Sequence, residues 1–221
     1  TTQMSGLSGA SLGGLTSDGL QVLSTTQFAA LTATQIGGLS SDAVAAFTTT
    51  QLTGLTSTQF GGLTALQIGA LSVAQAAVLS TTHMMALSTV QLKGLTSTTL
   101  AGLTVTQFSA LSGTQMSALT ATALSGLTAT LIPNLTSTVL SGFSTTQVQA
   151  LASDVVAALT TTQLKAFATT QVAALSTGAI GALSTTQLGE LGTLQFGALT
   201  TTQIAALGSS QMTGLTAAQL A

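Results

Sequence analysis

Apolar and polar residues follow one another in a fixed order along the chain, and the order repeats every eight residues. Counted from Leu7 as position 1, residues 7–214 form 26 octads without insertion or deletion. Position 1 is Leu in 23 octads and Phe in three, position 6 is a large apolar residue in 25, and position 5 is Gln in 16. Position 2 is Ser or Thr in 22 octads, and position 8 is Gly or Ala in 22. Partial octads at 1–6 and 215–221 keep the phase, so the pattern predicts a single continuous repeat domain over residues 1–221.

Neither a long helix nor a strand suits this period. Eight residues overshoot two turns of an α-helix by roughly 80°, so the leucine stripe would wander around a continuous helix. Positions 1 and 6 have opposite parity, so in a strand the two large apolar side chains would point to opposite faces. The local unit must therefore be shorter than one octad.

The octad carries the signals of a short capped helix. Ser/Thr-x-x-Gln is a capping box, in which the hydroxyl at position 2 accepts from the amide at position 5 and the glutamine reaches back. Positions 1 and 6 then occupy the two places of a hydrophobic staple. We expect each helix to begin at position 3, to run about one and a half turns, and to end at a corner near positions 8 and 1. An isolated helix of this length is unstable, so each octad must pack against others.

Repeated capped helices predict an all-α solenoid in which each turn contacts only its neighbours. We expect positions 1 and 6 to form the core, position 7 to face outward, and positions 3 and 4 to form a second polar stripe. Small residues at position 8 allow close crossings, and glycine there is suited to the left-handed conformation. The eight-residue spacing is compatible with either two or three octads per turn of the solenoid. Phe47, Phe143 and Phe167 are separated by twelve octads and then by three, which agrees with three per turn.

Three of the four acidic residues occupy the same place in the octad. Asp18, Asp42 and Asp154 lie at position 4, the second residue of the predicted helix, and all three octads lack glutamine at position 5. A carboxylate in the first turn interacts favourably with the helix dipole. We therefore interpret these residues as replacements for the missing capping partner.

The composition excludes several classes of protein. Charged residues make up 3% of the chain, with a net charge of −2, which gives no electrostatic footprint for nucleic acid or an anionic membrane. Cysteine is absent, so there is neither a disulfide framework nor a thiolate metal site. No apolar run approaches the length of roughly 18 residues that a membrane span needs, and hence none is expected. The apolar content of 45% argues against disorder.

The residues with catalytic or ligating chemistry are isolated. His83, within His83-Met84-Met85, replaces a position 5 glutamine and is interpreted as a capping residue rather than a haem or copper ligand. The acids, Glu190 among them, are too scattered for an acid/base pair. Pro133 and Asn134 are single occurrences that indicate a variant corner, and Asn134 also begins a glycosylation sequon. The sequence thus predicts no catalytic residue, no cofactor, no metal site and no enzyme.

The octads Leu-Ser-Thr-Thr-Gln-Phe-Ala-Ala (23–30) and Leu-Thr-Thr-Thr-Gln-Ile-Ala-Ala (199–206) resemble tandem repeats of very large secreted or surface proteins of bacteria, of the adhesin or extracellular fibre type. The resemblance covers the whole chain and implies an extracellular or cell-surface location. It does not imply haem binding here, because no ligand set accompanies it.

Ordinary repeat sequence at both ends predicts that apolar core is exposed there, where solenoids usually carry polar caps. We therefore expect self-association, end to end or lateral, into a filament, sheath or matrix fibre. The alternative is a passive stalk segment of a giant adhesin, with the chain a piece of a longer array. A third hypothesis, ice binding by threonine stripes, is disfavoured by interruptions at Leu66, Val73, Val90 and Leu194.

Overall fold

The computed structural model describes residues 19–20 and 22–220, and both Asp18 and the partial octad at 1–6 lie outside them. Within that part every helix is short and there is no strand. Contacts divide the chain into two compact units, Thr1–Leu119 and Thr120–Ala221. Within the described residues the prediction of an all-α fold of short helices at eight-residue spacing is confirmed, except that octad 127–134 forms a 3₁₀ helix in place of a capped α-helix.

The first unit contains twelve α-helices in its described residues. They are α1 (Thr25–Ala29), α2 (Ala33–Gly37), α3 (Ser41–Ala45), α4 (Thr49–Thr53), α5 (Ser57–Phe60), α6 (Ala65–Gly69), α7 (Val73–Ala77), α8 (Thr81–Ala86), α9 (Thr89–Leu92), α10 (Ser97–Ala101), α11 (Val105–Ser109) and α12 (Gly113–Ser117).

The second unit, over its own described residues, also contains twelve α-helices and one short 3₁₀ helix. They are α13 (Ala121–Leu124), the 3₁₀ helix (Ile132–Asn134), α14 (Ser137–Ser141), α15 (Thr145–Gln149), α16 (Ser153–Ala157), α17 (Thr161–Lys165), α18 (Thr169–Ala174), α19 (Thr177–Ala182), α20 (Thr185–Gly189), α21 (Thr193–Gly197), α22 (Thr201–Ala205), α23 (Ser209–Met212) and α24 (Ala217–Leu220).

The helices begin where the capping box places them. In α6 the N-cap Thr64 has extended backbone angles, its hydroxyl accepts from the Gln67 amide, and the Gln67 side chain accepts from the Thr64 amide. Capping boxes with a Ser or Thr N-cap repeat this geometry, whereas at Ala168, Gly192 and Gly208 only the glutamine accepts from the N-cap amide. Each of the α-helices named above begins at position 3 of its octad. Local sequence therefore determines the helix starts, as predicted.

Each turn of the solenoid takes three octads. In both units, the helices in contact are those whose octads lie three apart along the chain: α3 packs on α6, α6 on α9, α16 on α19 and α15 on α18. The choice between two and three octads per turn, which the sequence leaves open, is settled by these contacts. Equivalent positions of every third octad therefore stack in columns along each unit.

Large apolar residues at positions 1 and 6 form the core. Position 1 is buried from Leu31 to Leu199, and position 6 from Leu20 to Leu188. Positions 4 and 7 lie at the surface, with position 4 exposed in every described octad. The prediction for positions 1, 6 and 7 is confirmed, whereas the burial of position 5, described below, was not foreseen.

The corner at position 8 differs from the expectation. None of the described residues, glycine included, has a positive φ, so the left-handed prediction is wrong. The helices end instead by tightening: the amide at position 8 donates to the carbonyl at position 5, as Ala30 does to Gln27, and the next amide donates likewise. At Gly94, a position 8 glycine, the small residue is needed for proximity, since a Cβ there would clash with the Ala65 carbonyl oxygen.

Candidate functional site

The glutamine at position 5 connects successive turns. In the first unit the Gln67 Oε1 accepts from the Thr64 amide at 2.7 Å. The Gln67 Nε2 donates to the carbonyls of Ile36 at 3.0 Å and Leu39 at 2.7 Å, which belong to the turn below. Glutamines in the second unit donate in the same way, as Gln163 does to Ile132 at 3.0 Å and to Leu135 at 2.7 Å. We call this set of side chains the glutamine ladder.

The ladder lies inside the protein. Gln67 is 1% exposed, and most of the other described glutamines at position 5 are also buried, with Gln27 and Gln219 near the ends as exceptions. No described buried side-chain nitrogen or oxygen is without a hydrogen bond, so the polar core of these residues is fully paired. Each ladder glutamine uses the two ends of its amide differently, because the oxygen caps its own helix and the nitrogen holds the preceding turn.

This double role explains a feature of the sequence that capping alone does not. Glu serves a capping box as well as Gln does, yet Glu never occurs at position 5. A carboxylate can accept from the N-cap amide, but it cannot donate to the carbonyl of the preceding turn. The absence of Glu was therefore the available signal for the buried ladder, and the sequence prediction missed it.

His83 reproduces the glutamine with an imidazole. Its Nδ1 accepts from the Ser80 amide at 3.3 Å, and its Nε2 lies 2.8 Å from the Leu55 carbonyl oxygen in the turn below. The second contact needs a hydrogen on Nε2, which fixes the tautomer. The ring stacks on Phe60 with centroids 4.7 Å apart. The interpretation of His83 as a capping residue is confirmed, and its place in the ladder is an addition.

Most of the described octads without glutamine keep position 5 in the core, although Val139 is only half-buried. Thr99 is fully buried and its hydroxyl accepts from the Thr96 amide at 2.9 Å. Ala43 and Val155, in the octads of Asp42 and Asp154, are also buried. Both carboxylates lie in the first turn of their helices, as predicted. In three successive octads, at positions 123, 131 and 139, the ladder residue is replaced, and this stretch begins at the boundary between the units.

The variant corner at Pro133 interrupts the helix pattern. The octad forms the 3₁₀ helix Ile132–Asn134 with no side-chain cap at its start. The Asn134 Nδ2 donates to the Thr130 carbonyl at 3.0 Å, and Asn134 is exposed without a left-handed backbone. The variant corner is therefore made by a tightened turn and not by a left-handed Asn134.

Three octads per turn sort the charged residues into columns. In the first unit Asp42 and Lys93 lie in octads six apart and so belong to one column, and in the second unit Lys165 and Glu190 lie in octads three apart and also share a column. Lys165 and Glu190 form an ion pair between successive turns of the second unit, with both side chains about half exposed. An ion pair this exposed contributes little to stability.

The first unit carries an apolar patch on its charged column. Leu66 and Val90 lie at position 4 of stacked octads and are 81% and 65% exposed. A groove of about 560 Å³ beside them is lined by Ser41, Leu66 and Lys93, among others. We call Asp42, Leu66, Val90 and Lys93 together the Leu66 patch. Within the described part of the chain, neither Asp42 nor Lys93 forms an ion pair.

Residues 156–193 match the model of the ALTTAQ repeat. This segment includes residues 158–163, which read Ala-Leu-Thr-Thr-Thr-Gln. The chain is a tandem-repeat protein. No curated protein matches this tandem-repeat protein. None of its described helices is both long and apolar enough to cross a bilayer.

Proposed function

We propose that this tandem-repeat protein is an extracellular structural protein that forms a filament, sheath or matrix fibre by stacking of subunits. The observation that carries the proposal is the self-complementarity of the repeat, in which each described turn covers the position 6 side chains of the turn before it from Leu20 to Leu188. Leu188 is fully buried, whereas Ile204, Met212 and Leu220 are 36%, 44% and 64% exposed. A further turn of the same repeat would cover these side chains, and apolar burial stabilises such contacts by about 25 cal/mol per Å².

The glutamine ladder supports the same proposal. Gln219 donates to the carbonyls of Leu188 and Leu191. A turn placed above would offer its own glutamines to the carbonyls of Leu199 and Leu207 in the same manner. Such a contact joins unlike surfaces of two molecules, and a heterologous contact that does not close produces a filament. The low charge of the chain removes a common barrier to association.

The test is to purify residues 1–221, concentrate the protein, and examine it by negative-stain electron microscopy and sedimentation between about pH 5 and 9. We expect filaments that depend weakly on salt, because few charges oppose the contact. Ile204→Glu with Met212→Glu should abolish them. Leu194→Glu, at an exposed position 4, is the matched control and should leave them intact. Filaments that survive the double substitution would contradict stacking through the last turn.

The second candidate is a passive stalk of a giant adhesin, in which further octads of the same array cover Ile204 and Met212. The exposed apolar turn supports this function equally. A wild-type protein that remains monomeric at high concentration across that pH range would favour the stalk over the filament. The stalk predicts a rise in stability when one additional turn of consensus octads is appended after Ala221.

Ice binding is the third candidate, and the winding of three octads per turn bears on it because it groups the threonines into columns. One column of the first unit contains none of the residues that interrupt the threonine stripes at Leu66, Val73, Val90 and Leu194. That column presents exposed threonines at position 4 in four successive turns: Thr34, Thr58, Thr82 and Thr106. Position 3 of the same column is mixed, so a two-row array is absent from it. Thermal hysteresis of the purified protein, compared with a Thr58→Val and Thr82→Val variant, tests this function.

A further inference from the structure

The first unit holds a second surface suited to self-association, made of other residues than those of the exposed last turn. α3, α6 and α9 stack in consecutive turns, and each presents its position 4 residue to solvent. These residues are Asp42, Leu66 and Val90, in that order along the unit. Lys93 follows as the C-cap of α9. A negative charge therefore lies one turn before Leu66, and a positive charge lies one turn after it.

We propose that the Leu66 patch binds the same patch of a second copy, in an antiparallel pair with its two-fold axis at Leu66. In an isologous contact the same surface of both copies takes part, so if one residue of the first copy contacts a second residue of the other, the reverse contact also forms. With the axis at Leu66, Asp42 of each copy lies opposite the turn of the other that carries Val90 and Lys93, within reach of the long Lys93 side chain, and the two leucines meet at the centre. The proposal deepens the proposed function by naming a lateral contact, and it uses a surface distinct from the stacking turn.

The choice of a second copy rests on charge complementarity. Asp42 and Lys93 have no ionic partner in the described residues, and they belong to the turns before and after the one that carries the exposed Leu66. Exposed leucine and valine side chains on adjacent turns give the contact an apolar centre with a charged rim, the usual arrangement of an interface. The charge pairs set the orientation of the two copies more than the affinity.

Cysteine cross-linking tests the axis directly, because the chain contains no cysteine. In Leu66→Cys the two sulfurs meet at the axis, so mild oxidation should give a covalent dimer rapidly in dilute protein. Leu194→Cys is the matched control, since Leu194 is also a position 4 leucine and is 80% exposed. We expect at least a tenfold faster dimerisation at 66 than at 194. Equal rates would overturn the proposal.

Charge reversal tests the orientation. Asp42→Lys or Lys93→Asp alone places like charges together at both ends of the pair and should weaken dimerisation roughly three- to thirtyfold. The double variant, with both reversals, should restore the wild-type dimer. Single variants that dimerise normally, or a double variant that does not recover, would overturn the two-fold arrangement. A monomer whose Leu66 is required for sedimentation with phosphatidylcholine vesicles would assign the patch to a lipid surface and overturn the proposal.

The two proposals fail separately. Filaments without preferential cross-linking at residue 66 would remove only the lateral pair. Covalent dimers at residue 66 without filaments would keep the lateral pair and remove the stacked filament.

Discussion

Replacement of Gln67 by Glu isolates the second role of the ladder. The substitution keeps an oxygen for the Thr64 amide but removes the donor for the carbonyl of Leu39, which accepts from Gln67 Nε2 at 2.7 Å. A buried acceptor that loses its donor costs about 1–3 kcal/mol. The site is 1% exposed, so the new carboxylate must also lose its hydration or take up a proton. We expect the free energy of unfolding at pH 7 to fall by about 2–4 kcal/mol, and the melting temperature by about 4–16 °C.

The pH dependence of this variant has a definite sign. Burial beside carbonyl oxygens raises the pKa of the introduced carboxyl above its unfolded value of about 4.3. Below that pH the protonated group donates to the carbonyl, so the variant should approach the wild type. Its stability relative to wild type is then lost as the pH rises through the folded pKa.

Thermal and urea unfolding followed by circular dichroism measure both effects. Gln149→Glu is the matched control, because Gln149 lies at the exposed position 7. The same chemical change there should stay within about 0.5 kcal/mol. If Gln67→Glu and Gln149→Glu lower stability equally, or if Gln67→Glu does not recover in acid, the glutamine ladder does not hold successive turns together.

Three further substitutions test the ladder, the core and the corner by urea unfolding. His83→Gln restores the consensus amide and should stay within about 1 kcal/mol of the wild type, whereas His83→Leu should cost about 1–3 kcal/mol by leaving the carbonyl below unpaired; equal effects would contradict the role of the imidazole. Leu103→Ala should cost about 2–5 kcal/mol through its cavity, while Lys93→Ala should stay within about 0.5 kcal/mol, and similar costs would refute the assigned faces. Gly94→Ala should cost about 1–3 kcal/mol because its Cβ meets the backbone one turn below. Gly113→Ala, with nothing within 4 Å, should gain about 0.4–1 kcal/mol, and a loss there would show that glycine is needed for another reason.

The features of this fold that depend only on residues close together in the sequence could be predicted from it. The start of α6 is set by Thr64 and Gln67, three residues apart, and a capping box contains all of that information. The contact of Gln67 with Leu39 joins one turn to the next, and it cannot be predicted from residues close together in the sequence. The opposite charges of Lys165 and Glu190, which lie in octads three apart and form an ion pair, were a usable signal for the winding.

The corner at position 8 was mispredicted for a related reason. Glycine is common both where a left-handed residue is required and where two backbones approach closely, and the sequence alone does not separate these causes. Gly94 lies so close to the backbone of Ala65 that the close approach of two backbones is the reason for glycine at this position. The Leu66 patch likewise needed the winding, since Asp42 and Lys93 belong to octads that lie six apart along the chain.

The glutamine ladder has a direction, and the direction bears on how such a chain reaches its native state. The ladder amides donate to carbonyls that precede them by about one turn of the solenoid, as in the contacts of Gln107 with Ala76 and Leu79. In a chain that emerges N-terminus first, the acceptors for each new turn are therefore already in place when its donor arrives. The sequence separation of these contacts stays constant however many octads follow, so the entropy of loop closure per turn does not grow with length. Such an array can lengthen by duplication of octads without a slower assembly of any single turn.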